Sequence, residues 1–297
     1  MSFPRMRESS VILALLLLFT WILGNPAFSQ TPKTDSATAL SIAEASLAPA
    51  TAIGAIILLN QEAFWKYSKE VPFHVSNDPP YAMHIDKFSH FYGSAIGSDG
   101  IGYAYRVAGV SDEASRWLGA GLTFAAGIAI EMEDARHGDD PEYGFSFGDL
   151  GGDILGSSLP LLRYYFPVFN RLQPKLSVWP SAAYKTGIYK TIADDYESQY
   201  YWLSFDLHDV TPLPAWLNVA FGFSAENLLR PSNGLGYQTP SPNGIPYTDI
   251  YFGPDINLKG IPIKGRFWEG LTSVLSYVRI PLPCLQFYPR TKFWWLR

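Results

Sequence analysis

The chain predicts an α+β protein: an N-terminal bundle of about four tightly packed apolar helices, followed by a small antiparallel β-rich unit. Three observations lead there. Long uncharged runs with small residues four apart fill residues 50–175. From about Leu176 the pattern changes to alternating aromatic segments. Charged residues make up only 16% of the 297 residues. Ordinary globular chains carry roughly a quarter, so much of the surface is covered by core, partner or lipid.

The elements follow in order. Residues 1–29 carry the marks of a secretory signal peptide: Arg5 and Arg7 at the start, an apolar run from Val11 to Leu23 broken by Thr20, and small residues at Ala27 and Ser29. The run is shorter than the roughly 20 residues of a spanning helix, which favours cleavage near Gln30 over a permanent anchor. Export to the periplasm or outer membrane is the expected address. Residues 30–49 form a polar tether. A first helix is expected from about Ala50 to Lys69, and a second from Asp86 to Ala108 after a loop holding Pro72, Pro79 and Pro80. Ser111, with Asp112 and Glu113 behind it, starts a third helix that ends at Gly138; its run from Trp117 to Ile130 is uncharged. Ser146 starts the fourth, which runs to about Phe166 with a kink expected at Pro160. Gly148, Gly152 and Gly156 recur four apart. Each costs up to about 1 kcal/mol in a helix interior, so their use predicts close backbone contact.

The helices carry a conspicuous polar set. Asp86 and His90 share one helix face, with Lys87 rotated away from it; Glu131 and Asp134 share another, and Asp149 and Asp153 a third. Antiparallel packing of consecutive helices would bring all three groups to one end of the bundle. Eight acids and one base, Arg136, lie between Glu131 and Asp153. Such a density of carboxylates raises their pKa values or recruits a cation.

The strings DKFSHF (86–91), IEMEDAR (130–136) and FSFGDLGGDILGSSL (145–159) resemble the YfiM-like family of periplasmic lipoproteins, a domain of unknown function, and more loosely VanZ-like membrane proteins. The resemblance covers about residues 84–170. It implies an envelope address and marks Asp86, Lys87, His90, Glu131, Asp134, Asp149 and Asp153 as the family-pattern positions. Two departures stand out: no cysteine lies near the cleavage point, and Ile130 stands where the family commonly has a lysine. The resemblance implies no reaction.

Three readings of the polar set remain open. Lys87 and Arg136 can neutralise some of the acids while His90 locks two helices together. Alternatively His90, Glu131, Asp134, Asp149 and Asp153 bind a divalent metal ion, which would serve an envelope hydrolase. Metal-free acid–base chemistry beside His90 is the third. Other enzyme signatures are missing: there is no phosphate loop or His-Glu-x-x-His. The loop His137-Gly138-Asp139-Asp140 reads as solvated, and the loop residue His84 as a surface histidine.

The β-rich unit, residues 176–297, is expected to contain strands at Tyr200–Leu207, Leu217–Ser224 and Asp249–Leu258, and one at Tyr184–Ile192, with a short helix at Phe267–Val278. Four to six strands are too few for a bacterial transmembrane barrel, which needs at least eight. A sheet laid against the helices is the expected arrangement. From Asn257 onward seven bases face one acid, Glu269, with aromatic rings interleaved, so Arg290, Lys292, Trp294, Trp295 and Arg297 are expected to touch a membrane surface.

The net charge of −5 excludes a generic nucleic-acid partner. A single cysteine, Cys284, excludes an intrachain disulfide or a multi-cysteine metal site. The function expected is a membrane-associated structural or binding role in the cell envelope, with membrane lipid or an envelope component as partner.

Overall fold

A computed structural model describes residues 68–297 apart from 77–80, 138–143, 187–194 and 229–244, and only scattered residues between 43 and 65. The expected signal peptide lies outside the described residues, as do most of the tether, Gly138, Asp139, Asp140 and much of the first expected helix. Three long helices carry the bundle: α1 (Ile85–Val107), α2 (Asp112–Asp134) and α3 (Phe147–Tyr165). Their starts follow from the side chains predicted to cap them. The Ser111 hydroxyl accepts from Ala114 N and the Ser146 hydroxyl from Asp149 N, satisfying donors that the first turn leaves open. The third expected helix stops at Asp134, four residues short of Gly138, and Pro160 is accommodated inside α3.

The glycines explain the packing. A Cβ on Gly152 would lie 2.7 Å from Lys87 O, and one on Gly156 would collide with Phe91 O, so α3 meets the backbone of α1 directly. Gly119 does the same for α2, whose surface abuts Ser98 O and Gly102 of α1. Leading into α1, the non-glycine residues Ala82, Met83 and His84 have φ of 46°, 54° and 69°. A left-handed backbone costs such residues about 1–2 kcal/mol each. Burial of Ala82 and Ile85 against Tyr201, Ala225 and Leu228 holds the turn and fixes where Asp86 begins the helix.

Six strands form one antiparallel sheet in sequence order: β1 (Leu172–Val178), β2 (Gln199–Phe205), β3 (Leu217–Glu226), β4 (Tyr247–Ile256), β5 (Cys284–Tyr288) and β6 (Lys292–Trp294). Two sequence expectations are corrected here. The strand expected at Tyr184–Ile192 begins instead as one helical turn, α4 (Ala182–Lys185), capped by Ser181; its remainder lies outside the described residues. The boundary at residue 175 falls inside β1, so the last segment assigned to the helical unit belongs to the sheet. A further helix, α5 (Arg266–Leu275), precedes β5. The chain entering β5 returns to β1: Leu176 N donates to Tyr277 O and Arg279 N to Leu176 O, both at 2.9 Å. That bridge occupies the edge of β1 at Leu176.

The sheet is inverted relative to an ordinary soluble one. Its sealed face carries Lys175, Tyr200, Trp202, Ser204, Asn218, Ser224, Asp249, Tyr251, Asp255 and Gln286, all buried. Lys175 Nζ lies 2.5 Å from Asp255 Oδ2, Ser204 Oγ donates to the same oxygen at 2.6 Å, and Asn218 Nδ2 donates to Ser204 Oγ at 3.0 Å. The Arg279 guanidinium stacks 3.5 Å over the Trp202 ring and reaches Asp255 at 3.8 Å. Burial, then the neighbouring Glu226, push the Asp249 carboxyl up to about 7, and Gln286 Nε2 donates to it at 2.5 Å.

The opposite face is apolar. Its upper part lies under α1, where Phe88 stacks on Phe223 and Tyr92 meets Tyr201 edge-on. Next to it runs a row set by register: Leu203 opposes Phe221, Phe221 opposes Phe252, Phe252 opposes Leu285, and Leu285 opposes Phe293. Among the described residues no helix covers the last four of these; Phe221 is 48% exposed, Phe252 and Leu285 40% each, and Phe293 53%.

Candidate polar site

The antiparallel helices bring the start of α1, the end of α2 and the start of α3 together, as the sequence predicts. Lys87 bridges two acids, with Nζ 2.9 Å from Asp86 Oδ2 and 3.3 Å from Asp149 Oδ1. One turn deeper, His90 Nδ1 lies 3.2 Å from both oxygens of Asp153, while its Nε2 lies 3.8 Å from Glu131 Oε1. Ser94 Oγ donates to Asp153 Oδ1 at 2.7 Å. Gly127 of α2 makes room for that carboxylate, because a Cβ there would overlap it. Glu131 Oε2 accepts from Ser146 N at 2.9 Å and so ties the end of α2 to the start of α3.

Six of the seven predicted residues therefore fall into two neighbouring sets, Lys87 with Asp86 and Asp149, and His90 with Asp153 and Glu131, which Ser146 joins through its N–H to Glu131 and its hydroxyl to Asp149 N. The seventh, Asp134, is turned toward Trp65, whose Nε1 donates to its Oδ1 at 2.5 Å. Sequence spacing places Asp134 on the face of Glu131 but cannot reveal that Trp65 engages it. Among the described residues, one donor atom each from His90, Glu131 and Asp153 lies within 4.8 Å of the others; Asp134 and Asp149 are not in that set.

Burial and charge pull against each other here. Burial, then the nearby Asp149 charge, raise Asp86 to about 7 against the opposing effect of Lys87. Burial raises Glu131 to about 8 in spite of His90 and the Ser146 N–H. For His90 burial works downward, but the Asp153 hydrogen bond and the charges of Asp149, Asp153 and Glu131 outweigh it and bring the imidazole to about 10. Glu131 is 1% exposed, and its Oε1 has no hydrogen-bond donor among the described residues. The His90 side chain is 21% exposed, so solvent reaches the group from the His90 side.

The predicted membrane-contact residues divide. Arg290, Lys292 and Trp295 are exposed, Trp295 at 76%. Trp294 and Arg297 are not outward, and the expectation for them is corrected. Trp294 Nε1 donates to Gln286 Oε1 at 2.8 Å, and Arg297 lies over the Trp294 ring and donates to Tyr200 Oη. The lever is strand alternation: Phe293 and Trp295 flank Trp294, so they face outward when it faces the sealed side. Residues 203, 221, 252, 285 and 293 form an apolar row that the sequence reading did not assemble, because only the registers of β2 to β6 align them. Comparisons with protein-family models, curated proteins and solved structures find no match to this chain.

Proposed function

We propose that the chain is an exported cell-envelope protein that rests in a membrane leaflet through the apolar face of its sheet and serves a structural or binding role there. The row Phe221–Phe252–Leu285–Phe293 carries this reading. Large apolar side chains aligned across four strands, on the face opposite a sealed polar one, suit hydrocarbon better than water. Phe287, Tyr288 and Trp295 extend the face, and exposed Arg290 at the same end supplies charge for anionic headgroups. The uncharged outer side of α2 adds Trp117, Leu118, Leu122 and Ile128, all at least 36% exposed. No helix among the described residues is long and apolar enough to cross a membrane. Lipid is the partner in this reading, and kinship with YfiM-like envelope proteins is part of the proposal.

Flotation with vesicles containing phosphatidylglycerol tests it. Replacing Phe252→Glu and Leu285→Glu together should weaken binding at least about tenfold, because each apolar side chain withdrawn from lipid forfeits about 1.5–3 kcal/mol. Unchanged flotation of the folded double variant would refute the proposed contact.

A further inference from the structure

We propose that His90, Glu131 and Asp153 hold one divalent transition-metal ion. Three helices converge to supply the donors, one imidazole nitrogen and two carboxylates, with one atom of each within 4.8 Å of the others. Imidazole with carboxylate oxygen is a donor set that suits zinc and its neighbours, and three protein ligands leave positions for water.

The observation that separates this set from an ordinary acidic cluster is Glu131. Its side chain is buried to 1% exposure, its Oε2 is committed to Ser146 N, and its Oε1 has no hydrogen-bond donor among the described residues. That oxygen lies 3.8 Å from His90 Nε2, too far for a hydrogen bond. Two ligands each about 2.1 Å from a shared ion stand at a comparable separation.

The surroundings suit a cation as well. Asp86, Glu131, Asp149 and Asp153 bring four carboxylates, against which the group offers Lys87 and the His90 ring. Full ionisation leaves an excess of negative charge that a divalent ion offsets. Ser94 steadies Asp153 by donating at 2.7 Å, and Gly127 leaves the space its carboxylate occupies. Such outer contacts orient ligands before the ion arrives. The partly exposed His90 ring gives the ion a way in from solvent.

The test uses the full mature chain in detergent, stripped with chelator and titrated with Zn2+ by calorimetry. The expected result is one ion per chain, with affinity lowered at least about 100-fold by His90→Gln or Glu131→Gln and retained by Asp134→Asn. X-ray absorption of the unmutated zinc-loaded chain should show a mixed shell of nitrogen and oxygen, a readout that does not depend on how the variants fold. Failure of the unmutated chain to bind Zn2+ stoichiometrically would overturn the proposal. So would an absorption spectrum without a histidine contribution, or full affinity in folded Glu131→Gln. Vesicle flotation is unaffected by any of these outcomes, so this proposal and the lipid contact stand or fall separately.

Discussion

Asp255→Ala should destabilise the sheet by about 3–5 kcal/mol, the cost of removing one partner from a buried charge cluster. Lys175 and Arg279 approach this carboxylate from two sides with side chains no more than 1% exposed, and Ser204 donates to it. Alanine would leave an ammonium and a guanidinium in a sealed interior. Burial already lowers the pKa of Lys175 against the pull of Asp255, so without that acid the lysine would shed its proton or draw in water. Chemical denaturation of the mature chain measures the loss. Adding Lys175→Met should restore part of the stability by removing one orphaned charge, and a double variant less stable than the single would contradict the assignment of Asp255 as the shared counter-ion.

Gly156→Val should cost about 3 kcal/mol or more, the upper range for forcing bulk into a packed interface. The new Cβ would meet Phe91 O and also stand 2.9 Å from Ser94 Cβ, both on α1, where neither backbone nor a short side chain can yield. Separating α1 from α3 would also pull His90 from Asp153. Gly151→Ala on the same helix meets nothing within 4 Å and should be neutral or stabilising by up to about 1 kcal/mol. Thermal melts of the two variants side by side give the comparison, and equal melting temperatures would refute the close-contact account of the glycine spacing.

Much of the helical part was legible because its signals are local. Ser111 and Ser146 announce their helices by capping chemistry, and the four-residue spacing of Gly152 and Gly156 announces a close neighbour. The convergence of Asp86, His90, Glu131, Asp149 and Asp153 follows from short connections between consecutive helices. What escaped depends on distant partners. Asp134 is engaged by Trp65, which lies 69 positions away. Strand β1 holds a proline and a lysine, Pro174 and Lys175, which argue against a strand until Asp255 across the sheet is known. Strands β5 and β6 are short, with Pro283 and Pro289 at the ends of the first, so their alternation is too brief to read. In β3 the alternation was plain, with Leu217, Val219, Phe221 and Phe223 on one side. Which side is sealed was not, because Trp202 fills the space above Gly222 and turns the small and polar side into the interior.

Lipid exposure at position 252 tests most directly whether that apolar side faces outward into a membrane. A nitroxide attached through Phe252→Cys, with Cys284 buried and out of reach of the label, can be compared in vesicles with one attached through Asp209→Cys in the exposed loop after β2. The label at 252 should collide mainly with oxygen dissolved in the lipid and be shielded from a water-soluble nickel chelate, whereas the label at 209 should show the reverse. Equal access of the chelate to both positions on vesicle-bound protein would contradict that orientation.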